Sequence, residues 1–591
     1  MNDFVDYLNS INNYSGDSTG SLAEKQVKSK YYDLIKIDRR LGKFIADCIR
    51  KKDYKVFILT GHAGDGKTSI LVQVLKSLGY LFSGDGLSKE KEYADFYYVK
   101  DMSEIEEQRR TEVLTKALRA RNNGRCSLLI SNTGPLLETI TALEKSVAEN
   151  SGQEFSKDDE IWVKTKVLKA LDKNDNQEIS IAGEKAYVIN IARIDNVSFA
   201  TNILEKYVDE ALWAKCEECK CKDKCPILFN RRIVAKQFSR VASFIENYYR
   251  FLYENDKRMT IRQIAGQISF AMTGNLSCHE IETKMLKEPF FNYNFANLFF
   301  GFCGIEEKKD ATQINGIKQI QLLELDKTAL DVDYRLFVNN DRSFFLPEIE
   351  GVLQGLNKNY HKHYQVINEE TRVSNSERKT EIKLRSAVRR FYLVFGERDD
   401  SGLENLWNQI YGLSFADYCK LVDKKQPKAL LRRLQSTVFQ ALYVRNTGSV
   451  PNGQSELPLT LRREDDVFQN VMLVLGKVNK SDLELVQWPV NGLFEDNEEK
   501  QTIGLDLKGR HVRITLPMVN YFQALIAGAI ASNNNPALTH GIATLDAILL
   551  ECFGEKKPES EEDCEMKVLV NTTSGQEYET FSFSDNQLNV W

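Results

Sequence analysis

The stretch GHAGDGKTSI, residues 61–70, decides how the chain is read. Gly61, the four residues His62, Ala63, Gly64 and Asp65, and then Gly66, Lys67 and Thr68 reproduce G-x-x-x-x-G-K-[ST]. At this spacing loop amides surround phosphate oxygens while the lysine and the hydroxyl meet phosphate and Mg²⁺. The glycines admit backbone angles and close approaches that a side chain would block. Thr68 and Ser69 open a helix whose positive N-terminal end faces the anion. Residues 61–69 are therefore the expected ATP-binding set, with Lys67 also catalytic and Thr68 a ligand to Mg²⁺.

The flanks agree with this reading. Val56 to Leu59 is an apolar run suited to a buried parallel strand, and Ile70, Leu71, Val74, Leu75 and Leu78 share one face of the following helix. A plain glycine-rich turn would need neither the lysine nor this strand-loop-helix setting.

Downstream, YADFYYVKDMSE (93–104) delivers Asp101 at a strand end, where a Walker B carboxylate holds Mg²⁺. A helix follows, and CSLLISNTGP (126–135) supplies a second buried strand ending in Asn132, the candidate sensor. AYVINIARID (186–195) adds another strand. This order matches the additional-strand P-loop ATPases, in which the sensor strand lies between those of Walker A and Walker B. Two registers are open, because the interval before Asp101 scarcely holds a separate second strand. If Asp101 ends strand two, Asn132 stands at the Walker B position and hydrolysis is slow or absent. Met102 occupies the usual place of the catalytic Glu. Glu104, three residues after Asp101, either polarises water or forms a capping box with Asp101.

A chain of 591 residues implies two to four domains. Its 79 basic and 84 acidic residues give a net charge of −5, which excludes a uniformly basic nucleic-acid coat but not a local groove. The polar start, MNDFVDYLNSINNYSGDSTG, lacks a secretory apolar core. Ala524 to Ala531 is too short to cross a bilayer. A cytoplasmic protein without a membrane span is expected, with its 11 cysteines reduced, so that a cysteine cluster reads as a metal site before a disulfide.

CEECKCKDKCPILFN (216–230) is such a cluster. Cys216, Cys219, Cys221 and Cys225 are soft ligands suited to Zn²⁺, with one tight knuckle at C-x-x-C. The run C-x2-C-x-C-x3-C-P falls one residue short of a ferredoxin spacing, which makes an iron-sulfur cluster the second reading. Four reduced surface cysteines, or three ligands and a bystander, are the plainer alternatives. A bound metal would staple a small module to the helices that follow.

Past this cluster, Arg231, Arg232, Lys236 and Arg240 lie near Phe238, Phe244, Tyr248 and Tyr249, either a nucleic-acid track or an ordinary amphipathic helix. In RMTIRQIAGQISFAMTGN (258–275), Thr260 can cap a helix that resembles the lid of AAA-type ATPases. Arg262 then corresponds to the arginine that reaches the γ-phosphate, or else is a surface residue at a helix start. Arg109, Arg110, Arg119, Arg121 and Arg193 are candidates for fingers supplied to a neighbouring copy. Basic pairs recur in KLRSAVRRFYLVF (383–395, with Arg385 and Arg389), LLRRLQ (430–435) and LPLTLRRED (457–465), while His361 and His363 lack a ligand pattern.

The expected organisation is a helical lead-in (1–50), an α/β P-loop NTPase core of AAA/STAND type with a parallel sheet (51–215), a cysteine-rich metal module and helical lid (216–330), and mostly α-helical C-terminal domains with a late β element (331–591). An acidic stretch near 144–180 is expected to be a mobile insertion in the core.

Taken together, GHAGDGKT, VKDMSE, the LLISN strand, the CxxC…CP cluster and MTIRQ ahead of a TG turn resemble the DptF family of bacterial DNA-phosphorothioation-dependent restriction proteins. The likeness spans roughly residues 30–275 and, more faintly, the later arginine helix and LPLTLRR. It implies an ATPase subunit acting with partners resembling DptG and the helicase-like DptH, in a phage-defence system that damages DNA lacking backbone sulfur. DNA would be met directly or through those partners, and a finger arginine supplied in trans would require a homo-oligomer. No nuclease constellation is present, so the chain is expected to be necessary for restriction but unable to cut DNA alone. Two rival classes are a non-hydrolysing nucleotide-binding scaffold and a small-molecule kinase. The long C-terminal region argues against the kinase.

Overall fold

The strand Val56–Thr60 (β1) is buried along its whole length, because helices cover both faces of the sheet it centres. Phe57 and Leu59 pack into one apolar cluster and Val56 and Ile58 into another, the two-residue alternation of a strand between two layers. The computed structural model describes residues 1–11, 29–82, 85–173, 177–283, 290–321, 323, 325, 330, 333–334, 336, 347–349, 351–352, 375–396, 401–461, 470–490, 496, 499–529, 536–555, 565–573, 575–584 and 587–590. His361, His363 and the arginines of LPLTLRRED lie outside the described residues.

Two units are formed. The first comprises Met1–Tyr253, Arg258–Leu406 and Asn491–Glu498, and the second Glu254–Lys257, Trp407–Val490 and Glu499–Trp591. The main elements of the first are α1 (Asp3–Ile11), α2 (Arg40–Arg50), β1, α3 (Lys67–Ser77), β2 (Glu90–Glu92), β3 (Phe96–Val99), α4 (Glu107–Arg119), β4 (Cys126–Ile130), α5 (Thr133–Asn150), α6 (Lys157–Lys173), β5 (Ile179–Ile181), β6 (Glu184–Asn190), α7 (Val197–Tyr207), α8 (Pro226–Lys236), α9 (Phe238–Glu254), α10 (Ile261–Thr273), α11 (Cys278–Thr283) and α12 (Asn375–Phe395).

The sheet runs β2-β3-β4-β1-β6-β5. β3, β4, β1 and β6 are parallel, and the two edge strands are antiparallel hairpin partners. Register places Leu59 beside Ile130, and Val99 beside Leu129. The C-terminal ends of β1, β4 and β3 are therefore nearly level, and the loop at 61, Asn132 and Asp101 emerge from one edge of the sheet, where parallel sheets present ligand sites.

Three expectations change. The stretch 144–173 is packed helix: α5 and α6 lie on the sheet, with Val163, Val167 and Leu171 buried at helical spacing within a charged segment. Residues 375–406 belong to the first unit. Arg389 Nε donates to Asp333 Oδ1 at 2.9 Å, and Arg390 lies 4.0 Å over the Phe302 ring, so α12 is fixed inside that unit by its own cations. The C-terminal region carries more strand than a single late β element. Besides α13 (Ser401–Tyr411), which crosses the boundary, it holds α14 (Phe415–Asp423), α15 (Lys428–Thr447), α16 (Leu516–Ile526) and α17 (Pro536–Phe553). Its strands are β7 (Glu456–Leu461), β8 (Val471–Asn479), β9 (Glu484–Pro489), β10 (Gln501–Leu507), β11 (Arg510–Arg513), β12 (Glu565–Thr572), β13 (Gly575–Ser584) and β14 (Gln587–Val590). They form a five-stranded antiparallel sheet, β14-β13-β12-β8-β7, and a three-stranded one, β9-β10-β11. Met472, Val474, Gly476 and Val478 alternate with more exposed residues along β8, a period of two that marks a one-sided sheet.

Candidate nucleotide-binding site

The loop between β1 and α3 turns through Gly64 at φ +93° and Gly66 at φ +89°, values in the left-handed region that favours glycine. Lys67 is buried at the start of α3. Its Nζ donates to the carbonyls of Gly61 at 2.6 Å and His62 at 3.1 Å, and to Asn132 Oδ1 at 3.4 Å. Burial lowers the Lys67 pKa, opposed by the carboxylates of Asp101 and Asp65. Asp65 braces the loop from within. It is 1 % exposed and accepts from the His62 amide at 2.8 Å and from Arg258 Nη1 at 2.6 Å.

Above the loop lies a cavity of about 230 Å³, bordered by the loop residues from His62 to Ser69 apart from the buried Asp65, and by Asp101, Asn132 and Arg262. The structure thus brings together side chains separated by two hundred residues of sequence. Asp101 also caps the turn Met102–Glu104, accepting from Ser103 N at 2.9 Å and Ser103 Oγ at 2.7 Å. Its capping partner is Ser103, not Glu104. Glu104 does not border the cavity and pairs with Lys100 at 3.0 Å, because the turn after Asp101 carries it off the sheet edge.

Helix α10 starts with the anticipated cap. Thr260 Oγ1 accepts from Gln263 N and the Gln263 side chain accepts from Thr260 N, a complete capping box. Arg262 N donates to Gly64 O at 3.2 Å, and the Arg262 side chain enters the cavity. Its Nε is buried with no partner among the described residues, and burial holds its pKa below the usual arginine value.

Residues with no motif complete the site. Tyr32, Ile35, Ile37, Val72, Ile203, Tyr207 and Ala265 make an apolar wall, so the helical lead-in is part of the pocket. Arg39, also at the wall, is nearly buried. It lies 4.3 Å over the Phe199 ring and donates from Nε to Asp496 Oδ2 at 2.8 Å, within the same unit. The cavity thus combines loop amides and cations with an apolar wall, a lining that suits a phosphate tail joined to a flat base. An aliphatic run between Tyr32 and Ile37, before the first strand, was the signal available in the sequence.

The cysteine segment folds as a turn and a capped helix. Cys216, Cys219, Cys221 and Cys225 border one small cavity, together with Asn2 and a fifth cysteine, Cys278. Asn2 Nδ2 donates to Cys216 Sγ at 3.3 Å and to Leu212 O at 2.9 Å. Among the described residues no three Cys, His, Asp or Glu side chains form a ready metal-holding group. The five thiols share a cavity without converging on a point.

Most basic residues singled out in the sequence are engaged within the fold. Arg231 Nε donates to Val208 O, Arg232 pairs with Glu217, Lys236 with Glu348, and Arg240 Nη1 donates to Phe395 O, while Phe244, Tyr248 and Tyr249 are buried. Arg385 pairs with Glu381, Arg433 with Asp417, and Arg389 and Arg390 are buried. Of the finger candidates, Arg109 pairs with Glu90, Arg121 with Glu178 and Arg193 with Asp172, Arg110 Nε donates to Ile105 O, and Arg119 is exposed. No described helix is long and apolar enough to cross a membrane. Comparison with protein families, curated proteins and solved structures returns no match for this chain.

Proposed function

We propose that the chain is an ATP-binding, ATP-hydrolysing switch subunit of a cytoplasmic DNA-restriction complex acting on DNA that lacks phosphorothioate. The nucleotide part is carried by one observation: Lys67, Asp101, Asn132 and Arg262 border a single cavity over the loop at 61–69. Loop amides and Lys67 bind the phosphates, and Thr68 and Asp101 hold Mg²⁺, which would neutralise charge on the phosphate oxygens. Asn132 orients the attacking water, and Arg262 offers an unused guanidinium to charge developing on the γ-phosphate. Its lack of an internal partner supports a role toward a ligand rather than in packing.

The restriction setting rests on the motif order that resembles the DptF family. The chain acts there with subunits resembling DptG and DptH, and meets DNA directly or through them: Arg389 is buried against Asp333, whereas Arg232 and Arg433 pair with carboxylates at the surface. One observation favours a second reading, a non-hydrolysing scaffold: the position after Asp101 is a buried methionine, and Glu104 is turned to Lys100.

The test is ATP turnover by the natively expressed complex, with sulfur-modified and unmodified DNA, beside Lys67→Ala. Turnover stimulated by unmodified DNA and abolished in the variant is expected. Nucleotide binding without turnover selects the scaffold. Equal nucleotide binding by Lys67→Ala and its parent removes the site itself.

A further inference from the structure

Five cysteines rather than four surround the cavity beside Asn2, and they are not equivalent. Cys225 lies within electrostatic reach of Cys216 and Cys278, Cys216 of Cys278 and Cys219, and Cys278 of Cys219. Cys221 is hydrogen-bonded to Cys219 and lies near the carboxylate of Glu282, and its electrostatic neighbours do not include Cys216, Cys225 or Cys278. The inner sulfurs also have N–H groups aimed at them. Cys216 Sγ accepts from the Asn2 side chain at 3.3 Å, Cys278 faces the Asn2 amide, and Cys225, at the N-cap of α8, faces the amides of Ile227 and Leu228. Sulfur donors from two separate segments around one partly buried cavity are a set suited to a single Zn²⁺.

We propose that Cys216, Cys219, Cys225 and Cys278 bind one Zn²⁺ as a tetrathiolate site and that Cys221 is not a ligand. Cys216 and Cys219 form the C-x-x-C knuckle, while Cys225 and Cys278 come from the starts of two helices. Ligands drawn from separate segments relieve the crowding that four ligands within ten residues would impose, and closed four-sulfur coordination is the usual form of structural zinc. The ion ties the start of α8 to α11, just past the end of the lid helix α10 whose first turn holds Gly64. This site does not depend on the nucleotide reading.

The test uses the full chain purified without chelators. Its metal is measured, its X-ray absorption edge recorded, and its thiols mapped by alkylation before and after chelation. One zinc per chain is expected, with four sulfur neighbours at about 2.3 Å. In the native protein Cys221 is alkylated first, and the other four are released together on chelation. Cys221→Ser keeps the metal and Cys278→Ser loses most of it. Iron with sulfide, absence of metal, or Cys221 protected while Cys278 reacts freely overturns the proposal. The absorption edge and alkylation map are read on the unaltered chain, so misfolding of a variant leaves them decisive.

Discussion

The main-chain N–H of Arg262 donates to the carbonyl of Gly64 across 3.2 Å, fastening the first turn of α10 to the middle of the loop at 61–69. Lid and loop are thus one mechanical piece, and a shift in either is felt by the other.

Gly64 is the tightest point of that joint. A Cβ there would stand 3.0 Å from Thr260 Oγ1 and 3.1 Å from Arg262 Cβ, on a backbone at φ +93°. Gly64→Ala should therefore destabilise the first unit by about 1–3 kcal/mol and weaken ATP binding at least tenfold. Urea unfolding and calorimetric titration measure the two effects, and parental values in both would refute the joint.

Asp65 and Arg258 form a buried pair at 2.6 Å that holds the loop from behind. Arg258→Met leaves a buried carboxylate without its cation and should lower stability by about 3 kcal/mol. The double variant Asp65→Asn/Arg258→Met should recover part of that loss, because no uncompensated charge remains. Additive losses in a double-mutant cycle would show that the two side chains are not coupled.

Arg262 invites the opposite experiment. With its Nε buried and unpartnered, Arg262→Met should leave the nucleotide-free protein within about 1 kcal/mol of its parent. The parent should gain about 2.7 kcal/mol at ATP one hundredfold over its Kd, and the variant clearly less at the same ATP concentration. Thermal unfolding with and without Mg·ATP reads both, and an equal gain would exclude contact with the nucleotide.

Lys67 predicts a pH dependence. Burial lowers its pKa, so the free protein loses the ammonium below the ordinary lysine range, whereas bound phosphate favours the charged form. ATP affinity should fall as pH rises through that lowered value, with proton uptake on binding in the same window. Lys67→Arg, whose cation does not titrate there, should flatten the fall. Isothermal titration in buffers of different ionisation enthalpy detects the uptake, and an unchanged slope in the variant would reassign the effect.

The loop, the two strand ends and the lid cap were legible because their chemistry is written in short contiguous runs. Asp101 illustrates the limit: its place at a strand end could be read, but that its side chain accepts from Ser103 to cap the next turn while also bordering the cavity follows only from the fold. Cys278 was invisible, since its place beside Cys225 follows only once α8, α10 and α11 have packed. The charges of Arg389 and Arg390 suggested a surface, yet both are 1 % exposed, satisfied by Asp333, by carbonyls and by the Phe302 ring. The antiparallel sheets of the second unit were missed because VMLVLGKVN alternates only weakly, and its period shows once its inner face is identified.

The six-stranded sheet closes at both sides on a three-residue antiparallel strand. At one side, Glu90 and Glu92 of β2 are held by Arg109, Lys116 and Arg125. At the other, the Ser180 carbonyl of β5 accepts from Lys166 Nζ at 2.6 Å. Short, charge-occupied margins of this kind offer little template to a foreign strand. Growth of this sheet from molecule to molecule is thereby discouraged at high local concentration, which keeps strand pairing with a neighbour from distorting the edge that carries the loop at 61–69.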